Sequence, residues 1–192
     1  MKTKQICIAA WIVFSFGLTA GCGGGGLTNG YLPVPEPDKS IVNADVAKWV
    51  DSSTSAAVTS CNAANATPQT IADSINVKVA FNAYPNLTNA SGSKNLLIQN
   101  VDFSFTPITA GAPAISQPSQ PVNLNISVGG SASVPVQVAS QSLKSSLLAN
   151  FSCGDGKMYS YYLSITFNVK DDFNNTAKAT TVIKMDFADF VD

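Results

Sequence analysis

Apolar side chains that alternate with polar ones are the feature that most constrains the fold of this chain. From Tyr159 to Val169 every second residue is apolar or aromatic, and a second run of the same period extends from Ala177 to Phe187. A period of two places one set of side chains on one face of a β-strand. Residues 171–175 separate the two runs with Asp and Asn. The sequence therefore predicts two long strands joined as a hairpin.

Four shorter runs with the same period precede this hairpin. The glycine pair 129–130 separates two of these runs and predicts a second hairpin. Pro135 has no N–H to donate, so its strand is predicted to be an edge strand or to be bulged at that residue. The runs are residues 75–83, 97–105 (with Leu97, Val101, Phe103 and Phe105 predicted on one face), 122–128 and 134–138.

Two short segments have the spacing of helices. In residues 42–50 the apolar side chains recur at helical intervals, although a short strand fits almost as well. Residues 143–148 predict one or two helical turns with no evident cap. Trp49 is expected to be a packed anchor for its segment, with a ligand-stacking role as the alternative.

The alternating runs predict an all-β fold, because no long helical pattern separates them. Strands with one apolar face must bury that face against another layer, and a second sheet does this with the fewest elements. The prediction is an immunoglobulin-like antiparallel β-sandwich of about seven strands. The segment from Tyr161 to Lys184, with V-K-D-D-F-N-N-T-A-K-A at its centre, resembles the closing strands of bacterial immunoglobulin-like domains, including the polycystic-kidney-disease type. That resemblance implies the fold class alone.

The first 21 residues have the parts of an export signal. Lys2 and Lys4 precede an apolar stretch, 6–16, that is too short to span a bilayer as a helix. The small residues that follow end at Cys22, and four glycines come next. This run, Leu18-Thr19-Ala20-Gly21-Cys22, resembles the type II signal of bacterial lipoproteins, and ordinary secretory cleavage is the alternative. The resemblance implies that the leader is cut before Cys22, whose sulfur and new amine are then acylated.

The lipoprotein resemblance also implies a location and a domain plan. A cysteine that carries several acyl chains is held firmly in a membrane. Gly23 stands where Asp retains enterobacterial lipoproteins in the inner membrane, so the resemblance favours the outer membrane of a bacterial cell envelope. We expect a signal peptide over 1–21, a lipidated Gly- and Pro-rich tether over 22–40, part of it in polyproline II conformation, and one β-sandwich domain over 41–192.

The four cysteines are then divided between three roles. Cys7 leaves with the leader and Cys22 takes the lipid. Cys61 and Cys153 remain together in an oxidising compartment, where a disulfide is the expected state. The alternatives are two free buried thiols or, less favoured, a metal site.

Composition excludes several classes of function. The chain has no histidine and no arginine, and the mature part would carry nine lysines against twelve acidic residues. Nucleic-acid binding needs a basic surface, so no nucleic-acid partner is expected.

Without histidine there is no Ser-His-Asp triad. The S-x-x-K tetrad 91–94 lacks the partner motifs of penicillin-recognising enzymes. Residues 171–175 offer oxygen ligands for calcium, but such residues also favour a plain turn.

These observations predict a protein that is not an enzyme and needs no cofactor or metal. We expect a lipid-anchored structural or protein-interaction module of the cell envelope, attached to the membrane through its N-terminus, with an unidentified envelope protein or glycan as partner. The alternative is a domain that binds carbohydrate or a small ligand. A row of exposed aromatic side chains favours that alternative, whereas an unblocked edge strand favours protein interaction.

Overall fold

The computed structural model describes residues 31–58, 60–83, 95–152 and 155–189. The leader, Cys22, Cys153 and the tetrad 91–94 lie outside these ranges. In the described ranges the fold is all-β, as predicted, with one helix, α1 (Gln141–Leu148). The strands are β1 (Tyr31–Pro37), β2 (Ile41–Asp45), β3 (Lys48–Asp51), β4 (Ala66–Gln69), β5 (Asp73–Ala83), β6 (Asn95–Pro107), β7 (Gln120–Ser127), β8 (Ser131–Ala139), β9 (Met158–Asp171) and β10 (Thr176–Ala188).

Two sheets form the sandwich. One has the order β1-β5-β8, and the other has the order β2-β10-β9-β6-β7. All pairs are antiparallel except β2 with β10. The apolar faces of both sheets contribute to a single core, with Phe81 from the first sheet and Phe167 and Phe187 from the second. The two packed sheets confirm the predicted β-sandwich, with eight strands in the described ranges where about seven were predicted. The long hairpin β9–β10 is also confirmed, with residues 171–175 at its tip.

The sandwich begins earlier in the chain than the sequence indicated. Residues 31–37 form β1 and pair with β5 over their whole length, so the predicted tether and its polyproline II conformation are wrong for this segment. Pro33 and Pro35 are buried. The N–H of Asp38 donates to Asn76, which places even-numbered residues of β1 towards β5. The prolines therefore stand at the positions that face away from β5, where no ladder bond is lost.

The glycine pair 129–130 is a crossing between sheets, not the turn of a hairpin. Strand β7 pairs with β6 in one sheet, while β8 pairs with β5 in the other, so the predicted second hairpin is wrong. The crossing is fixed to β5, because Phe81 donates its N–H to Gly130 and accepts the N–H of Gly129. Gly129 has a φ of 75°, and a Cβ on Gly130 would lie 2.9 Å from the carbonyl oxygen of Ser127. The geometry of the crossing accounts for both glycines.

A bulge changes which side chains of β6 face the core. The register with both neighbouring strands shifts between Ile98 and Asn100. Leu96, Ile98 and Val101 are buried as a result, whereas Leu97 is half-buried on the opposite face. The prediction that Leu97 shares a face with Val101 is therefore wrong, because one inserted residue reverses the face of every side chain before it.

The segment between β2 and β5 forms a small ribbon of β3 and β4. The helical interpretation of residues 42–50 is wrong and the strand alternative is right. Trp49 is half-buried in the ribbon and donates its indole N–H to the Asp189 carboxylate at 3.0 Å, which fixes the ribbon to the end of β10. The packed-anchor interpretation of Trp49 fits this contact.

Helix α1 closes one end of the sandwich between β8 and β9. Leu143 and Leu147 are buried in the core, as the spacing predicted. Ser140 caps the helix by accepting the N–H of Leu143 at 3.2 Å, a cap that the sequence analysis missed. In the part of the chain that the structure describes, no helix has the length and apolar character needed to cross a membrane.

Candidate interaction face

The solvent-facing side of the five-stranded sheet carries exposed apolar side chains close together. Ile41, Lys184 and Tyr162 are directly adjacent across β2, β10 and β9. Ile41 is 54% exposed and Tyr162 is 53% exposed, on strands about 10 Å apart. Val182 is 47% exposed and lies two residues before Lys184, in diagonal contact range of Tyr162.

The segment after β6 adds a further apolar residue to the same face. Ile108 donates its N–H to the carbonyl of Ser160 at 2.8 Å and so continues the register of β6 against β9. Ser160 in turn donates its N–H to the Thr109 hydroxyl at 2.9 Å. These bonds hold the segment against the sheet and leave the Ile108 side chain exposed. We call the group of exposed apolar residues the outer patch: Ile41, Ile108, Tyr162 and Val182.

A buried polar cluster lies in the middle of the outer patch. The Asp186 side chain accepts the Ser160 hydroxyl at 2.5 Å and the Lys184 ammonium at 2.8 Å. Asp186 is only 5% exposed. Ser160 is likewise only 5% exposed, so the cluster offers no hydroxyl that is open to solvent. It neutralises a buried charge and keeps the surface around the outer patch in one conformation.

A second polar cluster lies further along the same face, on the adjoining strands β6 and β9. Asp102 accepts hydrogen bonds from the side chains of Asn100 at 2.9 Å, Ser119 at 2.5 Å and Asn168 at 2.6 Å. The Ser119 hydroxyl, with the Asn168 amide and attraction from Lys178, holds the pKa of Asp102 below its ordinary value. A carboxylate that is fully ionised and bonded in this way anchors the residues before β7, and it is a poor proton acceptor.

Both edges of the three-stranded sheet are blocked. On β1, the open side of the strand has no backbone N–H at Pro33, Pro35 and Pro37, so these positions cannot donate to an added strand. Strand β8 is the other edge, as Pro135 predicted. Here Gln120 donates to the Pro135 carbonyl and accepts the Gln137 N–H, both at 2.9 Å. Gln117 donates to the Gln137 carbonyl at 2.6 Å and accepts the Ser140 N–H at 2.7 Å. Two side-chain amides thus occupy the places that an added strand would use.

The acidic residues that a catalytic site would need do not converge. The Asp73 carboxylate lies 2.7 Å from the ammonium of Lys144, in the middle of α1. Asp155 accepts the backbone N–H groups of Lys157 and Ser152, which lower its pKa. Each of the three carboxylates, Asp73, Asp102 and Asp155, is bonded to a different set of neighbours. These three carboxylates are therefore not brought together as a general acid–base pair.

The β9–β10 turn uses its oxygen atoms for its own structure. The Asp171 carboxylate accepts the N–H groups of Phe173 at 2.9 Å and Asn175 at 2.8 Å, and it accepts the Asn175 side-chain amide as well. Asn174 has a φ of 67°, which Asn tolerates well in turns. Within the described segments, no group of three or more His, Cys, Asp or Glu side chains is placed to hold a metal ion. The turn interpretation accounts for these residues better than calcium binding.

The predicted disulfide has only one of its residues in the described ranges. Cys61 is half-buried in the loop between β3 and β4. Cys7, Cys22 and Cys153 all lie outside the described residues, so the pairing of Cys61 with Cys153 and the lipid on Cys22 stay predictions.

The exposed aromatic side chains in the described part do not form a row. Tyr162 belongs to the outer patch, and Phe173, which is also exposed, lies at the tip of the β9–β10 hairpin. Strand geometry separates Tyr162 from Asp171 at the start of this tip by about 30 Å. A flat sugar ring stacks on aromatic faces that lie side by side, which Tyr162 and Phe173 do not.

Part of the outer patch has a signal in the sequence. Tyr162 lies between Tyr161 and Leu163 of the alternating run, so the period of two places it on the outward face of β9. Val182 occupies a polar-face position of β10, between Thr180 and Lys184. The same period of two therefore identifies it as an apolar residue on a polar face. Ile41 and Ile108 were missed, because neither belonged to a run whose inward face was assigned. Their place in the patch depends on strand pairing.

Sequence comparison gives this chain no family. No protein-family model matches it, and no curated protein is significantly similar to it in sequence. The function is therefore argued from the chain's own residues: the outer patch, the polar clusters that hold its surroundings, and the sequence before the sandwich.

Proposed function

We propose that this protein is a lipid-anchored, non-enzymatic interaction module of a bacterial cell envelope, and that it binds another envelope protein through the outer patch. The outer patch is the observation that supports this most directly. It groups four exposed apolar side chains on one sheet face, around a polar cluster with internal bonds. Apolar groups of this kind, surrounded by polar residues, are typical of protein-binding sites, and tyrosine is enriched at their energetic centres.

The rigidity of the surface supports the same proposal. The residues around the outer patch are held by side-chain bonds to Asp186 and Asp102. A surface that is already ordered loses little conformational entropy when it binds. The same bonds occupy the carboxylates that general acid–base catalysis would need, and the sequence contains no histidine. The arrangement is suited to recognition and poorly suited to chemistry.

The anchor is the second part of the proposal. The apolar stretch and the small residues before Cys22 support lipidation at that cysteine, most simply in the outer membrane. Because β1 begins at Tyr31, the tether would extend over residues 22–30, shorter than the sequence indicated. Intact mass should show a mature chain that begins at Cys22 and carries acyl groups. A mature chain with an unmodified Cys22 would refute the anchor.

The disulfide is the third part. Cys61 lies in the loop of the β3–β4 ribbon, and Cys153 follows α1. We propose that a Cys61–Cys153 bond ties the ribbon to the end of the sandwich that α1 closes. The contact between Thr70 and Ser145 supports this, because their hydroxyl oxygens lie 3.0 Å apart and already bring the residues after β4 to α1.

The test uses the full lipidated protein purified from its native envelope under mild detergent. The variant Tyr162→Ser/Val182→Ser removes the apolar side chains of the outer patch without entering the core. Phe173→Ser is the matched control, because Phe173 is at least as exposed as Tyr162 and Val182 but lies at the hairpin tip. We expect the same co-purifying protein with wild type and the control, reduced at least tenfold with the double variant. Equal recovery with all three proteins would refute binding through the outer patch, as would a glycan as the only co-purifying molecule.

A further inference from the structure

Among the described strands, β2 is an edge strand of the five-stranded sheet. The Ser40 carbonyl accepts the Lys184 N–H, and the Val46 N–H donates to the Ala188 carbonyl, each at 2.9 Å. Even-numbered residues of this segment therefore face β10. Because successive residues of a strand point their backbone groups in opposite directions, those of Ile41 and Asn43 face away from the sheet. Across the described ranges no backbone hydrogen bond to these groups is present.

The other edges of the sandwich carry features that discourage pairing. Prolines occupy the open side of β1, and glutamine side chains cover β8. The fourth edge, β7, contains Pro121, and Asn123 has a φ of 55°, which interrupts a regular ladder. Its register with β6 is also shifted. Natural β-proteins block edges with such features where pairing is to be avoided. An edge without them, β2, is the one suited to pairing.

The charges beside β2 are complementary to those of a second β2 in one antiparallel register. If Ile41 pairs with Asn43 of a second copy, the outward backbone groups of both residues meet their counterparts on both strands. The same register places Lys39 opposite Asp45 of the second copy, and the two-fold symmetry repeats this pair. Lys39 is exposed and Asp45 is half-buried at the end of β2. Shifting the register by two residues loses both charge pairs.

We propose that β2 pairs antiparallel with β2 of a second copy, which joins two five-stranded sheets into one continuous sheet. This is a contact between copies at an edge of the sheet. It is separate from the binding of a different protein at the outer patch, although Ile41 takes part in both surfaces. The occupant is a second copy because one short segment, residues 39–45, supplies both the positive and the negative member of each charge pair.

The first experiment blocks the edge. Two differently tagged copies of the full lipidated chain are expressed together, and capture of one tag measures how much of the other is bound. Asn43→Pro removes the central outward N–H, in the way that the prolines of β1 remove theirs. Ser133→Pro is the matched control, because Ser133 has the corresponding outward position on β8. We expect Asn43→Pro to lower co-capture at least tenfold and Ser133→Pro to leave it unchanged.

The second experiment tests the register, and it decides the matter if Asn43→Pro fails to fold. Lys39→Glu places two acidic residues opposite each other in both symmetry-related pairs, and Asp45→Lys does the same with two lysines. Each variant should lower its own self-capture by about tenfold. A Lys39→Glu copy mixed with an Asp45→Lys copy has opposite charges at both pairs, so capture should return to the wild-type level.

Several outcomes would overturn the proposal. No co-capture between wild-type copies shows that the edge is not used by a second copy. Full co-capture with a folded Asn43→Pro variant shows that the copies meet through another surface. Failure of the mixed pair of charge variants to bind shows that the register is wrong. These outcomes leave the binding of a different protein at the outer patch untouched, because that is measured with Tyr162 and Val182.

Discussion

The Lys144 ammonium lies 2.7 Å from the Asp73 carboxylate and joins α1 to the first residue of β5. Lys144 is only 2% exposed, whereas the Asp73 side chain is 31% exposed. A buried ammonium is tolerated only next to an opposite charge, because removing it from water is costly. The pair therefore fixes the orientation of α1 at the end of the sandwich.

The unequal burial of this pair predicts unequal effects of mutation. Asp73→Ala leaves a buried ammonium without its partner and should lower the free energy of unfolding by about 3–5 kcal/mol. Lys144→Met keeps most of the side-chain volume, and water can solvate the remaining carboxylate, so its loss should be only about 1–2 kcal/mol. Urea denaturation of both variants checks the order. Equal losses would show that Lys144 is solvated in solution.

Tyr161 should make stability depend on alkaline pH. Its hydroxyl donates to the Pro113 carbonyl at 2.8 Å, and burial, with a smaller contribution from Tyr159, raises its pKa from 10.0 to about 12. Because the pKa is higher in the folded state, this stabilisation is complete below pH 10 and is lost as the pH rises to about 12. Tyr161→Phe should cost about 1 kcal/mol at neutral pH. Unfolding of both proteins across this range should show the difference shrinking, and a constant difference would contradict the assignment.

The parts of the fold that the sequence predicted are those set by a regular period. The strands β5, β9 and β10 follow from uninterrupted alternation, and burial of Ile75, Leu163 and Ile183 agrees with it. The predictions that failed concern segments for which the sequence allows more than one pairing partner. A glycine pair fits a hairpin and a crossing equally well, and residues 31–37 became a strand because β5 offers them an edge.

Gly130→Ala tests the crossing between the sheets. The added Cβ would lie 2.9 Å from the Ser127 carbonyl oxygen, so the backbone that pairs with Phe81 has to shift. We expect a loss of about 1–2 kcal/mol in the free energy of unfolding. Ser131→Ala, one residue further on and exposed, is the control and should change stability by less than about 0.5 kcal/mol. Equal effects would mean that the crossing adapts freely.

The Cys61–Cys153 bond predicts a particular pattern among serine variants. Closing a loop of about 93 residues should stabilise the fold by roughly 4–5 kcal/mol in the chain-entropy model. Cys61→Ser and Cys153→Ser should each lose this amount, and the double variant should lose no more than either single variant, because both remove one bond. Additive losses, or two thiols that react with iodoacetamide in the unreduced and unfolded protein, would show that the bond is absent.

The candidate site was less accessible to sequence analysis than the fold. Alternation identifies Tyr162 and Val182 as apolar residues on a polar face. It does not show that Ile41, about 120 residues away from Tyr162 along the chain, stands next to them, because that depends on the parallel pairing of β2 with β10. The glutamine side chains that cover the edge of β8 were also missed. Gln117 lies in a loop and Gln120 begins β7, and neither belongs to a local sequence pattern.

Site-specific photo-crosslinking in the native envelope tests the central claim most directly. A photoreactive phenylalanine analogue replaces Tyr162 in one lipidated protein and Phe173 in another, and both positions are exposed. If the outer patch binds a partner, light should produce a covalent adduct with one other envelope protein from position 162 and none from position 173. No adduct from position 162, or the same adducts from both positions, would contradict the claim that this face of the sheet is the binding surface.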